Sequence, residues 1–191
     1  ARATDATKEF VRILFDAGLS VGHSFRTIGE CLDNKETDNE IWNSLLESRL
    51  VCGGKRVFTA FRSKMQVTID RGNHPGFIGT LWNGTNLRHE KYGSSAKLLE
   101  PNVKHSSGGL RDIHTVLWLM RGTGSLKLPP VSSSQTAVRG LLAYCAKQNV
   151  FPSEFIRRAR GSFEFLLKVR NEMHLQLNSV HDTLDFMLQP Q

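Results

Sequence analysis

Cysteine is scarce in this sequence and badly placed for cross-linking. Cys31, Cys52 and Cys145 are three in number and far apart, so they cannot all pair. This argues against a disulfide scaffold and for a reducing compartment, and no two of them have zinc-finger spacing. There is no apolar run of the roughly 18 residues that crosses a bilayer, and nothing resembles a signal peptide. A cytoplasmic protein is the expectation, and Asn83-Gly84-Thr85 is then a coincidental sequon. Internal repeats are missing. No HExxH pattern and no Ser-His-Asp nucleophile motif are present. The stretch "CGGKRVF" is half a phosphate loop, but Arg49 and Arg56 stand where that motif needs Gly and Ser or Thr. "RGTGSL" has too few glycines for a dinucleotide fingerprint.

What is present is a chain of 191 residues, long enough for a real core. Its composition, 39% hydrophobic and 23% charged, excludes disorder as the dominant state. The net charge of +7 suits nucleic acid, a nucleotide, an acidic protein or an anionic membrane, with a solvated basic surface as the plain alternative. The chain opens on "ARATDATKEFVRILFDAGL", without a Met, and reads as cut from a longer protein.

The apolar spacing predicts a mostly helical architecture. Thr4 or Asp5 is expected to cap a first helix whose Phe10, Ile13, Leu14 and Ala17 share a face, with Gly18 as its stop. "LSVGHSFRT" alternates and predicts a strand. Helical spacing resumes from Thr27. Ile41, Leu45, Leu46 and Leu50 form one stripe, and Val57, Phe61, Met65 and Ile69 the next. "RGNHPGFIGTLWNGTN" reads as a Gly-rich connection. Residues 98–104 read as extended, because Pro101 disfavours a helical Glu100. Helices are expected over "LRDIHTVLWLMRG", "QTAVRGLLAYCAKQN" and "SEFIRRARGSFEFLLKVRNEMHLQL", the last capped by Ser153. A Gly/Pro/Ser loop, "GTGSLKLPPVSSSQ", separates the first two. Glu36, Asp38 and Glu40 alternate as metal carboxylates do, but acids also favour helix N-termini, and a helix is due to begin there.

The segment "LLEPNVKHSSGGLRDIHTVLW" concentrates the chemistry. If residues 99–104 are extended, Glu100, Asn102 and Lys104 point to one side. Gly108 and Gly109 let backbone N–H groups approach a ligand, and the following helix aims its free N–H groups at the same space. Arg111 in the first turn adds a forked donor for phosphate or carboxylate. An anion site beside a carboxylate suits a nucleoside triphosphate with magnesium. The alternative is structural: Glu100 or Asp112 pairs with Arg111, and the glycines only turn the chain.

The same stretch resembles the hallmark of the bacterial PII uridylyltransferase family, Glu-Pro-Asn-(Ile/Val)-Lys, a short gap, then Gly-Gly-Leu-Arg-Asp. Glu100, Pro101, Asn102, Lys104, Gly108, Gly109, Leu110, Arg111 and Asp112 match. "DAGLSVGHSFRTIGECL" is similar to a second family stretch, through Asp16, Gly18, Val21, Gly22, His23, Ser24, Arg26 and Thr27. Glu47 and Arg49 match a Leu-Leu-(Asp/Glu)-x-Arg helix, and Phe165, Leu166, Val169, Arg170 and His174 match a late helix. The gap His105-Ser106-Ser107 departs from the family pattern. No Asp-x-Asp metal motif occurs, and the phosphohydrolase and ACT sensor domains of the family are not in this sequence.

The resemblance implies a mainly α (α+β) fold. Residues 1–52 would be the end of a nucleotidyltransferase palm with one or two short strands, and 53–191 a helical associated domain. It implies a fragment of an enzyme that transfers UMP from UTP to a tyrosine of the PII signal protein, with Mg2+ held mostly by residues outside this chain. Glu100 and Arg111 would be catalytic, with Glu100 the candidate metal ligand. Lys104, Gly108, Gly109, Arg111 and Arg26 would bind phosphate. Asn102 and Asp112 would orient them, Asp112 through Arg111 or Lys104, and His23 would be structural. UTP and PII are then the partners, not a membrane or nucleic acid. The rivals are a nucleotidyltransferase-like signalling protein with CBS or cyclic-nucleotide sensor domains, a basic helical binding module without chemistry, and a helical buttress.

Overall fold

A computed structural model of the chain describes residues 2–19, 21–33, 39–72, 74–95, 97–125 and 137–189. The fold is mainly helical: α1 (Arg2–Asp16), α2 (Ile28–Asp33), α3 (Asn39–Leu46), α4 (Lys55–Asp70), α5 (His74–Tyr92), α6 (Leu110–Gly122), α7 (Ala137–Lys147), α8 (Ser153–Leu177) and a 3₁₀ turn, Phe186–Leu188. From residue 126 onward, the loop expected before α7 lies outside the described residues, as do Glu36 and Asp38; Glu40 lies in the first turn of α3.

Helix α6 is the hub and packs on α3, α5, α7 and α8. Its sequence is apolar on two sides, and adjacent residues serve different cores. Leu117 joins Leu110 and the α7 and α8 residues Val138, Leu141, Leu142, Cys145, Ile156 and Phe163. Trp118 turns to Trp42 and Leu46 of α3, Phe61, Met65 and Ile69 of α4, and Leu81 of α5. Residues on both sides of Cys52 therefore build this second cluster. The predicted α4 stripe is buried except at its N-terminal end, where Val57 is exposed.

Several expectations are corrected. Residues 21–27 form no strand: a strand needs a partner for its N–H and C=O groups, and no described residue pairs with this segment. The only β-type pairing among the described residues is an isolated antiparallel bridge, Asn102 to Thr183. The Gly-rich "connection" from His74 is a 19-residue helix. Its glycines weaken the helical signal, but packing overrides it. Leu81 enters the core, and the Phe77 ring lies so close to Gly122 that a Cβ there would collide with it. Helix α1 already runs from Arg2, so positions 4 and 5 lie inside it. Gly18, at φ +76°, ends it in a Schellman pattern, Gly18 N–H to Phe15 C=O and Leu19 N–H to Leu14 C=O. The apolar face of α1 is not core, since Phe10 and Ile13 are about half exposed. In α8, Ser153 is the first helical residue, and Pro152 precedes it without a side-chain cap.

Candidate functional site: a cavity between α3, α5 and α6, and the loop that borders it

The loop between α5 and α6 is tied down by its own polar groups. Gly93 turns the chain at φ +105°. The buried Ser106 hydroxyl donates to the Tyr92 carbonyl and accepts the Asn102 N–H. His105 stacks on Tyr92, with ring centroids 4.7 Å apart. Asn102 Oδ1 accepts the N–H groups of Lys104 and His105, at 3.2 and 2.8 Å.

The extended stretch expected over 98–104 ends at Asn102: residues 103–105 form a turn, closed by the Ser106 N–H on the Asn102 carbonyl and capped by Asn102 Oδ1, so a period of two does not carry Lys104. Glu100, Asn102 and Lys104 still meet one stretch of chain. What they face is the chain's own C-terminal segment. Glu100 Oε1 accepts the Phe186 N–H at 2.9 Å. Asn102 Nδ2 donates to Thr183 Oγ1 at 3.2 Å. Lys104 Nζ lies 3.4 Å from Asp182 Oδ2. Backbone bonds from Val103 N–H to Asp182 C=O and from Leu184 N–H to Pro101 C=O zip the two stretches together. The left-handed Asn178 ends α8 and sends the chain back. Asp182 then meets Arg170 Nε at 2.6 Å and His174 Nε2 at 3.1 Å, one helical turn apart on α8. Burial pushes the Asp182 carboxyl up, but Arg170, His174 and Lys104 together bring it down to about 2.

The amides expected to cradle an anion are committed elsewhere. Gly108 N–H donates to Asp112 Oδ2, and Gly109 N–H donates to the Ser106 carbonyl. The first amides of α6, Leu110 and Arg111, donate to the Val103 and Lys104 carbonyls. Asp112 orients neither Arg111 nor Lys104. It grips Arg88 at 2.5 Å and His89 at 2.9 Å, because its side chain leaves α6 toward α5.

Arg111 does reach an open space. A cavity of about 660 Å³ lies between α3, α5 and α6, within the size range of small-molecule sites. Arg88, His105, Arg111 and Trp118 line it from α5, the loop and α6, and Glu40, Asn43 and Glu47 line it from α3. The Arg111 guanidinium sits 5.2 Å over the Trp118 ring, and Trp118 Nε1 donates to Glu47. Burial and the neighbouring Arg88 push the Arg111 pKa down, and Glu47 and Glu40 oppose this. Among the described residues no carboxylate lies within ion-pair distance of Arg111, so its charge is half-buried and only loosely compensated. Arg26 is not among the lining residues; it precedes α2, where its charge acts on Glu30.

His105 sits between the two clusters. Burial, then Lys104 and Arg111, hold its pKa down to about 4. Its ring is expected to stay neutral at pH 6, where a free histidine is mostly protonated. An NMR titration of the ring should show a midpoint near 4; a midpoint near 6.5 would separate His105 from these cations.

The sequence matches the GlnD PII-uridylyltransferase family over residues 77–191. This chain belongs to that family. Among its relatives is the bifunctional uridylyltransferase/uridylyl-removing enzyme of Rhodopseudomonas palustris, 31% identical over 176 residues. That alignment covers 92% of this chain and 18% of the relative, so the chain spans about a fifth of that enzyme's length. No solved structure matches it.

Within this uridylyltransferase family sequence, the described residues hold no group of three or more His, Cys, Asp or Glu that could bind a metal. Glu100 is exposed and engaged with Phe186. The described residues therefore do not fit magnesium by themselves. No helix among the described residues is long and apolar enough to cross a membrane. Sequence reasoning assigned no role to Arg88, Asn43 or Asp182. Asp182 lies 78 positions beyond Lys104, and no local pattern announces such a pairing.

Proposed function

We propose that this chain is part of a uridylyltransferase that transfers UMP from UTP to a tyrosine of the PII signal protein, and that the cavity is a wall of its nucleotide pocket. The observation that carries this reading is the Arg111 guanidinium, half-buried over Trp118 with Arg88 beside it and no carboxylate paired to it. A cation in that condition gains from an anionic ligand. In the reaction the tyrosine oxygen bonds to the α-phosphorus as the bond to the β-phosphate bridging oxygen breaks, and pyrophosphate leaves. Arg111 stabilises charge on the phosphate oxygens, while Arg88 is held by Asp112 and the His105 carbonyl and fixes the loop beside it. Glu40 and Glu47 are placed to accept ribose hydroxyls. Lys104, Asn102 and Glu100 act as positioning residues that fix the loop against residues 182–186, while Gly108 and Gly109 set its turn. The free thiols of Cys31, Cys52 and Cys145 agree with a cytoplasmic setting.

In the full-length enzyme, Arg111→Ala is expected to lower the rate of UTP-dependent PII labelling about tenfold or more, with the melting curve unchanged. Wild-type rates with an intact fold would remove Arg111 from the site. The isolated chain is expected to transfer nothing; labelling of PII by it would overturn the assignment of a partial site.

A further inference from the structure

Resting on that reading of the cavity, we infer that Asp182 is a positioning residue for the transfer reaction, setting the place of Arg111 through Val103 and Lys104. Asp182 holds this pair of residues twice. Its carbonyl accepts the Val103 N–H at 2.8 Å, and its carboxylate stands 3.4 Å from Lys104 Nζ. The same pair holds the start of α6. The Val103 carbonyl accepts the Leu110 N–H at 3.0 Å, and the Lys104 carbonyl accepts the Arg111 N–H at 2.9 Å. Amides in the first turn of a helix have no partner within it, so these two carbonyls set where α6 begins and where the Arg111 side chain leaves it. Asp182 is itself anchored to α8 by Arg170 and His174, and α8 packs on α6.

Asp182 acts from a distance. None of Lys104, Arg170, His174 and Asp182 lines the cavity, and the Lys104 charge is met by Asp182 instead of a ligand there. The far side of the loop has its own supports, Arg88 on the His105 carbonyl and Asp112 on the Gly108 N–H. Loss of the Asp182 carboxylate therefore loosens Lys104 without detaching the loop. The Arg111 guanidinium then meets the phosphate out of place, and a shift of about 1 Å at a reacting centre can cost up to about a hundredfold in rate.

The test is steady-state kcat/KM for UTP-dependent PII labelling by the full-length enzyme, run as a double-variant cycle. Asp182→Asn should lower kcat/KM about tenfold, within the span that misplacing one group produces, in protein that still melts cooperatively. In an Arg111→Ala background the same substitution should cost less than about twofold, because the group it places is already gone. A merely structural role would give the full loss in both backgrounds. That result would overturn the inference, as would a wild-type rate for folded Asp182→Asn. If Asp182→Asn does not fold, Lys104→Met, which leaves Arg170 and His174 on Asp182, should show the same pattern, and equal losses in both backgrounds would overturn the inference there. A slow Arg111→Ala beside wild-type rates for Asp182→Asn and Lys104→Met would sink the role of Asp182 alone. A wild-type rate for Arg111→Ala would mean that the pocket reading had failed with it.

Discussion

Replacing Asp182 with Asn is expected to destabilise the chain by about 2 kcal/mol at pH 7. The carboxylate is 12% exposed and shared by Arg170, His174 and Lys104. Removing it leaves three basic groups gathered round a neutral amide, and breaking a buried pair from one side is costly because the remaining charge is stranded. The sign with pH follows from the direction of the shift. The folded carboxyl lies at about 2, below its unfolded value of about 3.9. Its contribution is therefore complete above about pH 4 and is lost as pH falls through about 2. Urea unfolding of both proteins at pH 7 and in acid reads this out. The stability gap should be wide at pH 7 and should close toward pH 2. Equal stability at pH 7, or a gap that persists in acid, would show that the cluster contributes no charge-dependent stability.

Gly109→Ala is expected to destabilise the fold by about 2–3 kcal/mol, against about 1 kcal/mol for Gly108→Ala. The two neighbours are glycine for different reasons. Gly108 has φ +81° and open space around the position of a Cβ, so Ala there meets only backbone strain. Gly109 has an ordinary φ of −75°. A Cβ at Gly109 would stand 2.8 Å from the Ser106 carbonyl oxygen and 2.9 Å from that of Lys104. Neither is a flexible side-chain end that can swing away. The Lys104 carbonyl also accepts the Arg111 N–H at 2.9 Å, so the clash loosens the start of α6 and shifts the Arg111 side chain. Chemical denaturation of the two single variants compares them directly. A Gly109→Ala protein no less stable than Gly108→Ala would mean that the loop yields more easily than its hydrogen bonds suggest.

Much of the helical architecture is legible without coordinates. Helix α8 occupies the stretch expected of it, Ser153–Leu177, because 25 residues of sustained apolar spacing leave few alternatives. The start of α2 is legible too. Thr27 and Glu30 exchange hydrogen bonds as a capping box, a signature carried by two residues at fixed spacing. Helix α5 is not legible. Its glycines argue against a helix, and what fixes it is a ring packed against Gly122 on another element. The segment 21–27 fails in the opposite direction. Its alternation is real, yet alternation only permits a strand, and pairing makes one.

The candidate site divides the same way. Sequence alone determined that Glu100, Asn102 and Lys104 crowd just ahead of a tight glycine turn and that Arg111 opens the helix after it, because spacing and turn chemistry are properties of adjacent residues. Only the tertiary structure decided what those side chains meet. The first three meet residues 182–186, and Asp112 turns to Arg88. Arg111 and Asn43 come from helices far apart in the chain to line one cavity. Local steric rules fix the direction in which a side chain leaves the backbone. The partner waiting there depends on chain closure over many tens of residues, where burial and charge pairing choose among contacts that no short window of sequence contains.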